Sequence, residues 1–184
     1  EGELERAFAA AVAQMGSVDV LVNNAGIAIR QPASDLPLPD WERVMAVNLT
    51  GMFLAARIAA RTMLARGSGA IVNTASIMGL SGGIYPNVAY QTSKGGVVNL
   101  TRALAIEWAP AIRVNAVAPT YVDTPFISAL KSNPQTMGTI LAATPLGRLA
   151  QPDEVAFAIL FLSSPAAAMI TGAILPVDGG FLAR

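Results

Sequence analysis

The amino-acid sequence predicts an α/β fold in which a parallel sheet is covered by helices on both faces. Short apolar runs alternate with helical segments along its 184 residues, and each run lacks the in-out alternation of a half-exposed strand. Strands of parallel sheets have this character because helices bury both of their faces. Hydrophobic residues make up 53% of the chain and charged residues 13%, so a sizeable core is expected.

Helices and strands alternate along the whole chain. The predicted helices cover residues 4–15, 40–66, 88–108 and 152–162. The predicted strands cover residues 18–23, 70–76, 112–118 and 173–177. Each strand is an apolar run that leads into turn-forming residues, which are the segment 23–26, the glycine-rich loop 79–83, Pro119 and the segment 178–180. The helices carry stop signals: Gly16 and Gly67 follow the first two, and Pro110 follows the third.

Residues 120–149 are the most loop-like part of the sequence. They contain Pro125, Pro134 and Pro145 among small polar residues, and they follow the carboxyl end of the third predicted strand. Ligands of open α/β sheets bind at that end of the strands. We therefore predict a mobile lid over a site, with helical turns possible within it, inside a single domain that covers residues 1–184.

The composition excludes several classes of function. Twelve basic and twelve acidic residues cancel without any run of like charge, so no nucleic-acid partner is expected. The chain has no Cys and no His, which excludes disulfides and Ser-His-Asp or Cys-His hydrolases. The usual zinc ligands are absent for the same reason, and no metal site is expected. Proton transfer must then use Tyr, Lys, Asp or Glu.

No apolar run in the sequence approaches the length of a membrane span, and residues 1–5 are acidic, unlike a signal peptide. We therefore expect a soluble cytoplasmic protein without a membrane partner. The alternative left open is a mature chain from which a targeting segment has been removed.

Three side chains of complementary chemistry are expected to converge at one edge of the sheet. Ser76 ends the second predicted strand, and Tyr90 and Lys94 lie four residues apart at the start of the following helix, on one face. A neighbouring ammonium lowers the pKa of a phenol, and a hydroxyl can stabilise charge on a reacting oxygen. Together they suit hydride transfer coupled to proton transfer at an alcohol or ketone.

Each of these features alone has an ordinary structural explanation. Tyr-x-x-x-Lys is a common surface pair on helices, a Ser after a strand is usually a cap, and Asn-Gly-type tetrapeptides are usually turns. Asn48, inside a predicted helix, is mildly unfavourable there but common. The functional interpretation rests on the joint arrangement.

With these motifs the chain resembles the classical short-chain dehydrogenase/reductase family, from its first helix to its last residues. The resemblance lies in the segments 23–26 (Asn-Asn-Ala-Gly) and 47–51 (Val-Asn-Leu-Thr-Gly) and in Ser76, Tyr90 and Lys94. It implies that Tyr90 is the acid/base, that Lys94 lowers its pKa and binds the nicotinamide ribose, and that Ser76 orients the substrate. It also implies that Asn48 holds a water in a proton relay.

The resemblance implies a Rossmann-like doubly wound sheet, a homo-oligomer (tetramer or dimer) and binding of NAD or NADP, with the choice between these cofactors left open. The implied cofactor-binding residues are Asn24, Ala25, Gly26, Tyr90, Lys94, Pro119, Thr120, Val122 and Thr124. The implied substrate pocket is formed by Ser76, Met78, Pro86, Tyr121 and Phe126. The loops around it are apolar with few charges, so a neutral small-molecule alcohol or ketone is expected. The resemblance implies a polyol, a sugar or a small keto compound.

Two departures from the family pattern stand out. Thr120 follows Pro119 where the family usually has Gly. No glycine-rich dinucleotide fingerprint precedes the first predicted strand, so the first β-α-β-α-β portion of the fold, roughly 60 residues at about 30 per βαβ unit, is absent. We therefore expect the chain to be part of a longer enzyme, and the rival hypothesis is a non-catalytic binding or scaffold protein that keeps the fold.

Overall fold

In the computed structural model, residues 1–183 are described, and they form a parallel sheet between two layers of helices. Within that range the strands are β1 (Val20–Asn23), β2 (Gly69–Thr74), β3 (Ile112–Pro119) and β4 (Ile174–Val177). They lie in the order β1-β2-β3-β4, and every neighbouring pair is parallel. The predicted α/β class is confirmed.

The described residues contain seven α-helices joined by loops and short 3-10 turns. The helices are α1 (Gly2–Met15), α2 (Leu38–Met45), α3 (Gly51–Arg66), α4 (Val88–Glu107), α5 (Ser128–Lys131), α6 (Pro134–Ala142) and α7 (Pro152–Ser163). The 3-10 turns are Ala33–Asp35, Ile77–Gly79, Pro125–Ile127, Pro165–Ala167 and Phe181–Ala183.

The second strand ends earlier than predicted. β2 stops at Thr74, and Ser76 instead caps the 3-10 turn Ile77–Gly79, because its Oγ accepts the backbone N–H of Met78 at 3.1 Å. The cap turns the chain at the sheet edge, so the Ser76 side chain faces the site beyond the strand.

The long helix predicted over residues 40–66 is not one regular α-helix. A π-helical turn, Ala46–Thr50, separates α2 from α3 and contains the fully buried Asn48. Such turns insert an extra residue into an α-helix and often occur at functional sites. Here the Asn48 amide bonds to the backbone of Ile27 on a neighbouring loop, a tertiary contact that the helical periodicity does not reveal.

The helical segment Leu38–Arg66 is 29 residues long, and by length and composition alone it could cross a membrane. The expectation that no apolar run approaches the length of a membrane span is therefore corrected. The apolar side chains of this segment have another use. Ala56, Ala59 and Met63 are buried in the cluster that packs against Ile71 and Val114 of the sheet. Core helices of soluble folds pass the same test of length and composition.

Each face of the sheet packs against its own helices. Ile71 and Val114 lie with α1, α3 and the end of α4, whereas Val72 and Val117 lie with α7. Val72 is one residue beyond Ile71 on β2, and Val117 is three residues beyond Val114 on β3, so each pair points to opposite faces. This alternation follows from the period of two along a strand. The helices on both faces leave the carboxyl edge of the sheet open to the loops that follow each strand.

A buried chain of polar side chains links three elements near that edge. Asn23 and Asn73 are register partners on β1 and β2, and the Nδ2 of Asn23 donates to the Oδ1 of Asn73 at 2.9 Å. The Nδ2 of Asn73 donates in turn to Thr101 Oγ1 on α4 at 3.0 Å. A slip of one residue would leave these amides unpaired, so the network favours this register.

Residues 120–149 form packed structure as well as loop. They carry a 3-10 turn, α5 and α6, and their side chains Tyr121, Ile127 and Ile140 join a cluster with Ile77 and Phe181. Helical turns within this segment were predicted and are present. Its mobility as a lid stays a prediction.

Candidate active site

A cavity of about 660 Å³ opens at the carboxyl ends of β1, β2 and β3. Most of the residues predicted for the site line it. These are Asn24, Gly26, Ser76, Met78, Tyr90, Lys94, Pro119, Thr120, Tyr121, Val122, Thr124 and Phe126. The segment 120–149 covers one side, and Val155 and Ile159 of α7 contribute an apolar wall.

Three predicted site residues lie outside the walls of this cavity. Ala25 is exposed on the turn after β1, and Asn48 is buried behind it. Pro86 lines a smaller adjoining pocket with Gly83 and Gln91. The Gln91 Nε2 donates to the Gly82 carbonyl oxygen at 2.7 Å and folds this loop onto the start of α4, which explains why Pro86 faces that pocket.

Ser76, Tyr90 and Lys94 meet at the base of the cavity. The Ser76 side chain is hydrogen-bonded to the Tyr90 phenol, and the Lys94 Nζ lies 5.7 Å from the centre of the Tyr90 ring. Lys94 is only 3% exposed, and its Nζ donates to the Thr74 carbonyl oxygen at 2.6 Å. The strand end, the 3-10 turn and the first turns of α4 therefore bring together the three side chains that the sequence singles out.

The electrostatics of this trio differ from the expectation. Burial raises the pKa of the Tyr90 phenol above its ordinary value, while the Ser76 hydrogen bond and the positive charge of Arg30 act in the opposite direction. Burial also lowers the pKa of Lys94 to about 8. In the chain alone desolvation outweighs the groups that favour the phenolate, so the net shift of the Tyr90 pKa is upward, and the predicted lowering of that pKa by Lys94 stays a prediction.

Asn48 supports the site from outside the cavity. Its Oδ1 accepts the Ile27 N–H at 2.8 Å, and its Nδ2 donates to the Ile27 carbonyl oxygen at 2.9 Å and to Ser93 Oγ at 3.0 Å. A Cβ added at Gly26 would stand 3.5 Å from Asn48 Oδ1 and 3.6 Å from Lys94 Nζ. Asn48 thus holds the loop after β1 beside Lys94, and its part in a water relay stays a prediction.

Arg30 is a further wall residue of the cavity, and no motif in the sequence pointed to it. Its guanidinium carbon lies 5.6 Å from the centre of the Phe126 ring, which is itself 6.1 Å from the Tyr90 ring. The available signal was position: Arg30 follows β1 on the loop that leaves the same sheet edge as Ser76.

The cavity walls fit the nicotinamide–ribose end of a dinucleotide. Three buried polar atoms that line it, Asn87 Oδ1, Thr120 Oγ1 and Tyr121 Oη, make no hydrogen bond within residues 1–183. Buried polar groups are normally paired, so such atoms indicate a ligand that carries hydroxyl or amide groups. Lys94 supplies a positive charge beside Asn24 and Gly26.

Several known proteins are similar to this chain in sequence and fold. The family described as enoyl-(acyl carrier protein) reductase matches residues 1–182. The cis-4-hydroxycyclohexanecarboxylate dehydrogenase of Sinomonas cyclohexanicum is 50% identical over 175 residues, which cover 94% of this chain and 69% of that enzyme. The galactitol 2-dehydrogenase (L-tagatose-forming) of Cereibacter sphaeroides is 48% identical over 186 residues, covering 98% of this chain and 72% of that enzyme.

A solved structure has the same fold over the whole of this chain. The gluconate 5-dehydrogenase from Burkholderia cenocepacia J2315, in complex with NADP and tartrate, superposes with a TM-score of 0.95 at 36% identity. The match covers 100% of this chain and 72% of that chain. Taken with the family match and the residues at the sheet edge, these likenesses show that the chain belongs to the short-chain dehydrogenase/reductase family of NAD(P)-dependent oxidoreductases.

Proposed function

We propose that this chain carries the acid–base centre of an oxidoreductase that interconverts a secondary alcohol and a ketone with NAD(P), and that Tyr90 is the acid/base. The observation that carries the proposal is the contact of Ser76 with the buried Tyr90 phenol beside Lys94, inside the cavity at the sheet edge. The dehydrogenases that are 50% and 48% identical to this chain support the reaction type.

The three side chains divide the proton chemistry among them. Burial keeps Tyr90 protonated, so it is set to donate a proton to the oxygen of a ketone as negative charge develops there. In the opposite direction the phenolate oxygen of Tyr90 takes the proton of the alcohol. The Ser76 hydroxyl can donate a hydrogen bond to the reacting oxygen, which stabilises its charge. The ammonium of Lys94 favours the phenolate once the proton has left.

When bound, NAD(P) accepts or donates the hydride. The residues proposed to hold its nicotinamide end are Lys94, Pro119, Thr120, Val122 and Thr124. Asn24, Ala25 and Gly26 are proposed to lie along its ribose side, although Ala25 does not line the cavity. The unpaired Thr120 Oγ1 supports this assignment, because the threonine that replaces the family's usual glycine then gains a hydrogen-bond partner.

The substrate is proposed to be a small hydroxylated compound. Ser76, Met78, Tyr121 and Phe126 line the cavity beside Tyr90, and buried hydroxyls there would pair with substrate hydroxyl groups. The names of the relatives, which describe dehydrogenases of galactitol and of a hydroxycyclohexane carboxylate, fit a polyol, a sugar-like compound or a hydroxy acid.

Replacement of Tyr90 by Phe tests the mechanism. Tyr90→Phe keeps the ring contact with Phe126 and removes the proton, so turnover is expected to fall by roughly 10²- to 10⁴-fold while cofactor binding changes little. The measurements are steady-state kinetics and cofactor fluorescence. Tyr85→Phe is a matched control, because Tyr85 also lines the cavity but donates its hydroxyl to the Thr136 carbonyl oxygen. Turnover retained in Tyr90→Phe would remove Tyr90 from the role of acid/base.

The rival proposal is a binding or scaffold protein that keeps the fold without catalysis. Thermal unfolding with NAD(H) and with NADP(H) separates the two, because a ligand that binds the native state raises its stability. A shift with one cofactor supports the enzyme and identifies its preference. No shift with either cofactor, in protein whose mass has been verified, would support the scaffold.

We also propose that the protein is a cytoplasmic homo-oligomer, a tetramer or a dimer. Large apolar side chains are exposed outside the cavity, among them Ile106 on α4 and Phe157 and Leu160 on α7. Phe157 and Leu160 lie three residues apart on one face of α7, and exposed apolar patches are typical of association surfaces. Gly96 of α4, in contrast, serves packing inside the chain, because a Cβ there would stand 2.7 Å from Leu49 Cδ2.

A further inference from the structure

Arg30 places a half-buried guanidinium in the wall of the active-site cavity. Among residues 1–183 it makes no ion pair and no hydrogen bond, and its described contact is with the face of Phe126. Arginine carries five N–H donors in a planar fork. Those of Arg30 have no acceptor within residues 1–183 and remain accessible to a ligand in the cavity.

The position of Arg30 is defined from two sides. Asn48 holds both the N–H and the carbonyl oxygen of Ile27, three residues earlier on the same loop. On the other side the Phe126 ring lies between Arg30 and the Tyr90 ring. The charge of Arg30 acts on the phenols of both Tyr90 and Tyr121, which places it at the end of the cavity where the substrate meets the acid/base.

The charge of the cavity favours an anion. Its charged wall residues within the described chain are Arg30 and Lys94, and neither Asp nor Glu lines it. Lys94 already donates to the Thr74 carbonyl oxygen, whereas Arg30 has no such acceptor. A planar guanidinium matches a carboxylate through two parallel hydrogen bonds. A single guanidinium neutralises one charge, so a carboxylate fits this apolar wall better than a phosphate dianion does.

We propose that Arg30 binds a carboxylate of the substrate, so that the enzyme acts on hydroxy acids and the matching keto acids whose carboxylate lies away from the reacting carbon. The inference rests on the proposed dehydrogenase function and specifies its substrate class. It replaces the neutral substrate expected from the apolar residues of the loops after β2 and β3, because the loop after β1 brings a cation into the same cavity.

The test compares acids with their amides in the wild type and in Arg30→Gln. Substrates are 3-hydroxybutanoate, 4-hydroxypentanoate and 5-hydroxyhexanoate, each paired with the corresponding hydroxy amide, so that the best acid also reports the separation from the reacting carbon. The wild type is expected to prefer that acid over its amide by roughly 10- to 100-fold in kcat/KM, the range expected for a hydrogen-bonded charge. Arg30→Gln is expected to lose this preference, because its kcat/KM falls by roughly 10- to 100-fold on the acid and by much less on the amide.

Two further variants make the comparison specific. Arg30→Lys retains the charge without the planar fork and is expected to keep part of the preference. Arg6→Gln removes an exposed arginine of α1 that lies outside the cavity, and it is expected to behave as the wild type with every substrate.

Several results would overturn the inference without touching the proposed function. The first is equal turnover of acid and amide by the wild type. The second is an equal loss of turnover on acid and amide in Arg30→Gln with a shifted pH profile, because that result would mean that Arg30 acts through Tyr90. Weaker cofactor binding in Arg30→Gln, with the acid preference unchanged, would assign Arg30 to the cofactor instead. If the wild type turns over none of these acids and amides, calorimetric binding of acid against amide to the wild type and to Arg30→Gln decides the role of Arg30, and equal binding of acid and amide by the wild type overturns the inference. The proposed function is tested separately by the thermal shift with NAD(H) and NADP(H).

Discussion

Lys94 carries an ammonium into a buried position, where its Nζ donates to the Thr74 carbonyl oxygen at 2.6 Å. Desolvation disfavours the charged form, which is why its pKa falls from 10.5 to about 8. The folded chain therefore binds this proton more weakly than the unfolded chain does. Below pH 8 the native state retains the buried charge and bears its full cost, and the cost disappears as the pH rises toward 10.5.

Replacement of Lys94 by Met is expected to show this cost. In the absence of cofactor, Lys94→Met should be more stable than the wild type at pH 7, by up to roughly 3 kcal/mol less the lost hydrogen bond. That advantage should shrink between pH 8 and pH 10, because the wild type sheds the buried charge there. Urea unfolding at three pH values measures it, and a difference that does not vary with pH would contradict the lowered pKa. Lys131→Met, which removes an exposed lysine, is the control.

The sequence predicts which side chains form the site more readily than it predicts their pKa values. Ser76, Tyr90 and Lys94 could be selected because strand ends and helical spacing place them at one edge. The direction of the Tyr90 pKa shift could not be predicted from the sequence, since it depends on how completely the phenol is buried. The role of Arg30 was hidden for a similar reason: its contact with Phe126 joins two loops that are far apart in the chain.

At the scale of an element, the π-helical turn Ala46–Thr50 couples a helix to the loop after β1. Asn48 within it forms three hydrogen bonds, two of them to the backbone of Ile27. The loop that these bonds hold carries Gly26 beside Lys94 and Arg30 in the cavity wall. A regular helix and a helix with one π-helical turn have nearly the same apolar pattern, which is why the sequence predicts a single helix there.

Loss of the Asn48 amide is expected to damage both stability and the site. Asn48→Ala leaves the Ile27 N–H and carbonyl oxygen without their partners, which should cost about 2 to 4 kcal/mol in the free energy of unfolding. Ser93→Ala removes one of these three bonds together with the bond that Ser93 Oγ donates to the Tyr90 carbonyl oxygen, and it should cost about 1 to 2 kcal/mol. Urea unfolding of both variants tests the difference. If Asn48→Ala were no more destabilised than Ser93→Ala, the Ile27 contacts would not be what holds this loop.

Close approaches between elements also lie beyond what a sequence pattern shows. The loop 79–83 was predicted from its glycines, yet the reason for Gly79 is a contact with α4: a Cβ there would stand 2.6 Å from the backbone carbonyl of Lys94. Gly79 thereby lets the turn after Ser76 press against the helix that carries Tyr90 and Lys94. Composition predicts that a loop is present, whereas only the packing explains which glycine cannot be replaced.

For the whole molecule, the order of apolar runs was enough to predict a parallel sheet between helices, because the central strands β2 and β3 are buried along most of their length. Strand order and register needed the structure. The Asn23–Asn73–Thr101 network supports that register through amide hydrogen bonds, and no apolar period encodes it. The exposed apolar side chains that we propose for association were equally hidden, since exposed and buried apolar side chains look alike in a sequence this hydrophobic.

The α7 face is the part of the molecule on which we expect association to depend. Phe157 and Leu160 are 67% and 65% exposed, and the opposite side of the same helix is buried against β2 and β3. The double variant Phe157→Ser/Leu160→Ser should therefore lower the oligomer mass measured by light scattering, because burial of these side chains would no longer drive the contact. Met15→Ser on α1 removes a side chain that is 64% exposed and should leave the mass unchanged. An unchanged mass in the double variant would move the contact to another surface, with α4 and its exposed Ile106 the next to be tested.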